Sequence, residues 1–126
     1  MNSKCGAIQR KVTRQIMVGP VPVGGAASVT VQSMTNTPTQ DVAATMAQVR
    51  RLEEAGCEIV RLAVPDAEAV AALVSIKKQA KIPVIADIHF DHQLAIGSIR
   101  SGVDGLRINP GNIGGKRKIR EVFQCI

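Results

Sequence analysis

Between Ser28 and Ile126 an apolar strand, a loop and an amphipathic helix recur four times, with roughly 20 to 30 residues from one strand start to the next. That rhythm constrains the chain more than any other feature. Strands that alternate with helices pair in parallel, because each helix carries the chain back to the end where the next strand begins. The first strand is Ser28-Val29-Thr30-Val31-Gln32, and its loop, Ser33 to Gln40, is rich in Thr, Asn and Pro. Thr37-Pro38-Thr39-Gln40 has the form of a capping box, with Asp41 as the alternative cap. Val42, Met46, Val49, Leu52 and Ala55 then recur every three or four residues, and Gly56 ends that helix.

The second strand is Glu58 to Val64, and Pro65-Asp66 starts a helix with Val70, Leu73, Ile76 and the Lys77 stem on one face. Pro83 marks entry to the third strand, Val84 to Ile88; the third helix, carrying Leu94, Ala95 and Ile99, ends at Ser101-Gly102. The fourth strand is Gly105 to Ile108. A loop over Gly111 to Gly115 leads into a basic helix with Ile119, Val122, Phe123 and Ile126 on one side. Ahead of these units, Val12 to Val18 and Val21 to Val23 flank Gly19-Pro20 and read as a short β-hairpin; residues 1–11 read as polar and loosely held.

Two architectures accommodate four βα units: an open doubly wound sheet and a (β/α)8 barrel. No G-x-G-x-x-G follows the first strand, against the dinucleotide-binding version of the former. Polar residues instead collect at the C-terminal ends of the strands, as barrel enzymes arrange them. The expected fold is therefore α/β, an N-terminal hairpin followed by four βα units, half of a TIM (β/α)8 barrel spanning residues 1–126. Half a barrel leaves two strand edges open, and Cys125-Ile126 falls in a periodic helix without a stop signal. The chain end is accordingly expected to be a truncation point.

A net charge of +6 favours anionic partners. Two Phe and no Trp or Tyr provide almost no rings for stacking bases, so nucleic acid is not expected and small phosphorylated ligands are favoured. Cys5, Cys57 and Cys125 lie far apart with no C-x-x-C. Together with the absence of a signal-like N-terminus or a membrane-length apolar run, they set a cytoplasmic expectation with no membrane partner.

Chemistry is expected where polar groups interrupt apolar strands. Arg61 sits within Ile59 to Val64, and Arg107 within Leu106 to Asn109. A guanidinium in such a wall needs an anionic partner. Two at one end could clamp a diphosphate through their planar forks, or each could pair structurally with a carboxylate such as Asp87 or Glu58. Asp87 and His89, two apart, share a side of the strand if it extends so far; a carboxylate beside an imidazole fixes its tautomer. Gln32 and Asn109 end the first and fourth strands, with ligand contact and loop-holding both open. Asp91 and His92 read as a helix cap, and Lys116, Arg117, Lys118 and Arg120 as a solvated basic face. The glycines of Asn109 to Lys116 lack Walker spacing but could present N–H groups to an anion. No catalytic nucleophile–base pair and no metal set stands out.

Four strings are specific in order and spacing: Val31-Gln32-Ser33-Met34-Thr35-Asn36-Thr37, Val60-Arg61-Leu62-Ala63-Val64-Pro65, Ala86-Asp87-Ile88-His89-Phe90-Asp91, and Gly105 through Gly114. In them, from about Ile8 onward, the chain resembles the 4-hydroxy-3-methylbut-2-enyl diphosphate synthases of the methylerythritol phosphate route to isoprenoids. The resemblance implies an oxidoreductase acting on a CH or CH2 group. It opens the ring of 2-C-methyl-D-erythritol 2,4-cyclodiphosphate, with electrons from flavodoxin or ferredoxin delivered through a 4Fe-4S cluster. It further implies a homodimer, each subunit having an N-terminal TIM barrel and a C-terminal cluster domain. The cluster's three cysteines and glutamate would lie outside this chain, as would the second half of the barrel, so this chain alone is expected to be catalytically inactive. Arg61 and Arg107 would grip the diphosphate, Asp87 and His89 would line the same pocket, and Gln32 and Asn109 would be lesser contacts. The alternatives are a phosphate- or pterin-binding barrel of the dihydropteroate synthase type and a non-catalytic basic binding module.

Overall fold

The computed structural model describes residues 8, 9 and 11–126. The expectation of a loose N-terminus falls largely outside these residues, and so does Cys5. The hairpin is present, shorter than expected in its first strand: β1 (Ile16–Val18) pairs antiparallel with β2 (Val21–Val23), Met17 opposite Pro22.

A four-stranded parallel sheet follows, formed by β3 (Gln32–Met34), β4 (Ile59–Ala63), β5 (Val84–Ile88) and β6 (Gly105–Ile108). Its spatial order is the sequence order, β3-β4-β5-β6. That order decides between the two architectures, since a doubly wound sheet reverses direction at a switch point and this one does not. The sheet does not close, and β3 and β6 remain open edges, as a partial barrel requires.

Helices α1 (Val42–Glu54), α2 (Ala67–Gln79) and α3 (His92–Arg100) connect the strands. Each begins at an aspartate whose carboxylate accepts a backbone N–H of the first turn: Asp41 from Ala44, Asp66 from Ala69, Asp91 from Gln93. The α1 cap is thus Asp41, and the Thr37–Gln40 capping box does not form. Thr37 Oγ1 instead meets Thr45 Oγ1 at 2.9 Å, and Thr39 Oγ1 donates to Ala63 O at 2.5 Å, tying this loop to the end of β4. The expected loop over Gly111 to Gly115 is also corrected. Pro at the first helical position and Asn109 as cap wind a helical turn, α4 (Pro110–Ile113), before Gly114 at φ +92° admits α5 (Gly115–Gln124).

The first strand is displaced from its expected place, beginning at Gln32 where the expected strand ended. Residues 28–31 lie outside the strand, and Val29 and Val31 stay exposed. Val31 is held by hydrogen bonds just before β4, its carbonyl accepting the Glu58 N–H at 2.9 Å, while the register of β3 with β4 begins at Gln32↔Ile59.

Side-chain alternation separates two faces. Val60, Leu62, Val64, Val84, Ala86 and Ile88 point to the helices, where Met46, Val49, Leu73, Ile76 and Ala95 complete a buried aliphatic core. Each fully buried Leu or Ile there contributes about 1.5–3 kcal/mol. His92 joins α3 to α5 through a 2.8 Å contact between Nε2 and Glu121 Oε2. The hairpin lies against the N-terminal end of the sheet. A methyl group on Gly19 would stand 3.1 Å from Pro83 Cγ and 3.2 Å from Asp104 Oδ1, just before β5 and β6. The opposite face and the C-terminal strand ends are left to the polar residues.

Candidate functional site

Register places the polar residues. Across the sheet Met34 pairs with Arg61, Arg61 with Ile85, and Asp87 with both Ala63 and Arg107. Arg61, Asp87 and Arg107 therefore share the face that the helices do not cover. Gln32 lies two residues before Met34 and belongs to the same face by period two; its side chain is exposed.

At the centre is the Asp87 carboxylate, only 3% exposed. Its Oδ1 accepts a hydrogen bond from Arg107 Nη1 at 3.2 Å. Its Oδ2 lies 3.4 Å from Arg61 Nε and 3.5 Å from His89 Nε2. The Arg61 Nε contact has ion-pair distance without hydrogen-bond alignment, and Nε finds no other partner. The three basic side chains are far more open, 33% exposed for Arg61, 48% for Arg107 and 54% for His89. The acid forms the base of the cluster, and the donors rise from it toward solvent.

The charges do not cancel. Two guanidiniums share one carboxylate, leaving one positive charge with His89 neutral and two with it protonated. Both arginines pair with Asp87, one of the carboxylates the structural alternative offered, and Glu58 instead accepts the Val31 N–H through Oε1 at 3.1 Å. An uncompensated, half-exposed pair of forks attracts an oxyanion.

The remaining candidates are placed differently. Asn109 follows β6 at the same end, but its Oδ1 accepts the Gly111 N–H at 3.1 Å, so this side chain holds the loop. Asp91 caps α3 and His92 turns to Glu121, away from the cluster. Lys116, Arg117 and Arg120 are exposed on α5.

Some neighbours were passed over in the sequence. Met34 Sδ lies 3.7 Å from Arg61 Nη2, and its signal was its place in the string Gln32-Ser33-Met34 at a strand end. Asp87 and His89 line a cavity of about 150 Å³ whose remaining walls are Ala63, Val64, Pro65, Phe90, Asp91 and Leu94. Phe90, largely exposed, sets its ring edge-on to His89 with centroids 6.1 Å apart. A second opening, about 340 Å³, is lined by Gln32, Ser33, Met34 and Arg61. The cluster thus has an apolar cleft on one flank and a polar opening on the other.

Residues 13–126 match the GcpE TIM-barrel domain. The chain belongs to that family. Two curated relatives of the GcpE domain are named 4-hydroxy-3-methylbut-2-en-1-yl diphosphate synthase (flavodoxin). The one from Colwellia psychrerythraea is 58% identical over 94% of this chain and 31% of its own length. The one from Thermodesulfovibrio yellowstonii is 60% identical over 92% of this chain and 33% of its own length. The chain therefore spans about a third of the curated relatives it matches. Among solved structures, thiamine phosphate pyrophosphorylase from Pyrococcus furiosus aligns with 75% of this chain and 59% of its own at 19% identity, with a TM-score of 0.49.

Proposed function

We propose that this GcpE domain binds the diphosphate of a cyclic substrate, 2-C-methyl-D-erythritol 2,4-cyclodiphosphate. In a longer protein of the family it would thereby serve the reductive ring opening that yields 4-hydroxy-3-methylbut-2-enyl diphosphate. The observation that carries this is the surplus charge at the strand ends: Arg61 and Arg107 aimed to the open side of one buried carboxylate. Sequence identity of 58–60% to synthases named for that product supports the substrate assignment.

The chain's own part in the reaction is binding and orientation. Arg61 and Arg107 would offer paired N–H donors to phosphate oxygens and fix the ring against the sheet. His89, beside Asp87 and open to solvent, would donate from its ring to a substrate oxygen. Gln32 would add an amide from the flank, and Asn109 would keep its neighbouring loop in shape. The apolar wall of Pro65, Phe90 and Leu94 suits the carbon side of a small polyol and excludes water from it.

The reduction draws electrons from a donor, and flavodoxin appears in the relatives' names. A 4Fe-4S cluster would pass them on. The described residues do not fit such a group: Cys57 is buried with its thiol 3.1 Å from Ile59 O, and no three potential ligands come together among them. The cluster, its ligands, the electron donor and homodimer pairing are assigned to the remainder of the full-length protein, in a cytoplasmic setting. Among the described residues no helix is long and apolar enough to cross a membrane.

Calorimetric titration of the chain with the cyclic diphosphate tests this reading. Saturable binding, weakened about tenfold or more by Arg61→Ala and by Arg107→Ala, is expected from the loss of charge-assisted hydrogen bonds. Absence of saturable binding, or binding indifferent to both changes, overturns it.

A further inference from the structure

Asp87 differs from the other polar residues of the cluster in one respect: it has almost no surface left. A carboxylate offers about four acceptor positions. Those of Asp87 face Arg107 through Oδ1 and Arg61 and His89 through Oδ2, all within 3.5 Å, and the side chain is 3% exposed. An incoming phosphate would find no donor there and would be repelled by its charge. The sheet explains the geometry. Asp87 lies on β5, a strand flanked by β4 and β6, directly beside Arg107 and diagonal to Arg61, whose register partner is Ile85. The two carboxylate oxygens thus reach opposite ways, one to each neighbouring strand.

We propose that Asp87 is a positioning residue: by facing one oxygen to each arginine it acts through them, holding two like-charged guanidiniums on one acid, pre-aimed for one diphosphate. Two neighbouring guanidiniums without a shared acid repel each other, and a ligand would have to immobilise both on arrival. Anchored on one acid, both side chains stay partly open to solvent, 33% for Arg61 and 48% for Arg107, with N–H donors beyond those facing Asp87. The inference rests on the anion-binding reading for its purpose, but the anchoring is a property of the unliganded chain.

The distinguishing consequence is one of sign. If Asp87 were a nearby negative charge and nothing more, Asp87→Asn would make the site more positive and tighten binding of inorganic pyrophosphate. A positioning role predicts the opposite, about tenfold weaker binding despite the gain in positive charge, with partial recovery in Asp87→Glu. Unchanged or tighter binding in Asp87→Asn overturns the proposal. A second measurement needs neither ligand nor variant. NMR relaxation of the arginine Nε–H groups in the free chain should show Arg61 and Arg107 more restricted than the exposed Arg100 and Arg120. Equal mobility overturns the proposal even if Asp87→Asn does not fold. If the parent chain binds no pyrophosphate while Arg61 and Arg107 are restricted, the anion-site reading fails and the anchoring by Asp87 stands.

Discussion

Lys77 Nζ lies 2.8 Å from Asp104 Oδ2, and the same carboxylate oxygen accepts the Val84 N–H at 2.9 Å. This pair ties α2 to the start of β5 at the end of the sheet remote from the arginines. Val84 is fully buried, so its N–H has no recourse to water if the acceptor is lost. Asp104→Ala should cost about 1–3 kcal/mol in urea unfolding, the penalty of an orphaned buried donor. Lys77→Ala, at a partly exposed position, should cost less than about 1 kcal/mol. The reverse ranking would show that the ion pair, not the backbone bond, fastens this corner.

Neighbouring positions on α2 separate core from surface. Leu73 is fully buried under the sheet, and Val74 faces outward. Leu73→Ala should destabilise by about 2–5 kcal/mol and Val74→Ala by no more than about 0.5 kcal/mol, read as denaturation midpoints at constant slope.

The arginines can be tested with charge held constant. Arg61→Lys and Arg107→Lys keep the net positive charge but lose the planar fork. Pyrophosphate affinity should fall about tenfold in each, whereas the salt dependence of binding should keep the parent slope. Full affinity in both lysine variants would reduce the site to a diffuse positive patch.

The hairpin has a position where only glycine fits. Gly24 has φ +82°, and a Cβ there would stand 2.8 Å from Arg14 O, a backbone atom with little freedom to retreat. Gly24→Ala should lower stability by about 1–2 kcal/mol and speed amide exchange in the hairpin first. Gly56→Ala is the control. Its φ is +93° but nothing lies within 4 Å, so it should carry the conformational cost alone.

The sequence was most informative where local chemistry settles the outcome. Asp66 and Asp91 cap the helices assigned to them, and Val84–Ile88 and Gly105–Ile108 are strands at their expected limits. It failed where tertiary pairing decides. Nothing in Ser28-Val29-Thr30-Val31-Gln32 reveals that the paired segment begins where that string ends, because the alternation of Val29 and Val31 runs on ahead of the paired residues. The turn at Pro110–Ile113 was hidden by its glycines, which read as a loop although proline follows a capping asparagine. That Arg61, Arg107, Asp87 and His89 share one end of the sheet follows from strand periodicity, and the structure brings all four together. That both arginines converge on one acid depends on register between strands far apart in sequence, to which single-chain patterning is blind.

The hairpin packed against Pro83 and Asp104 makes the cluster's surroundings one-sided. With that end of the sheet covered, the basic groups are left at the opposite, C-terminal end of the strands. What fastens the sheet and what could meet a ligand therefore rest on different residues at opposite ends of the strands, as Asp104 just before β6 and Asp87 near the end of β5 illustrate.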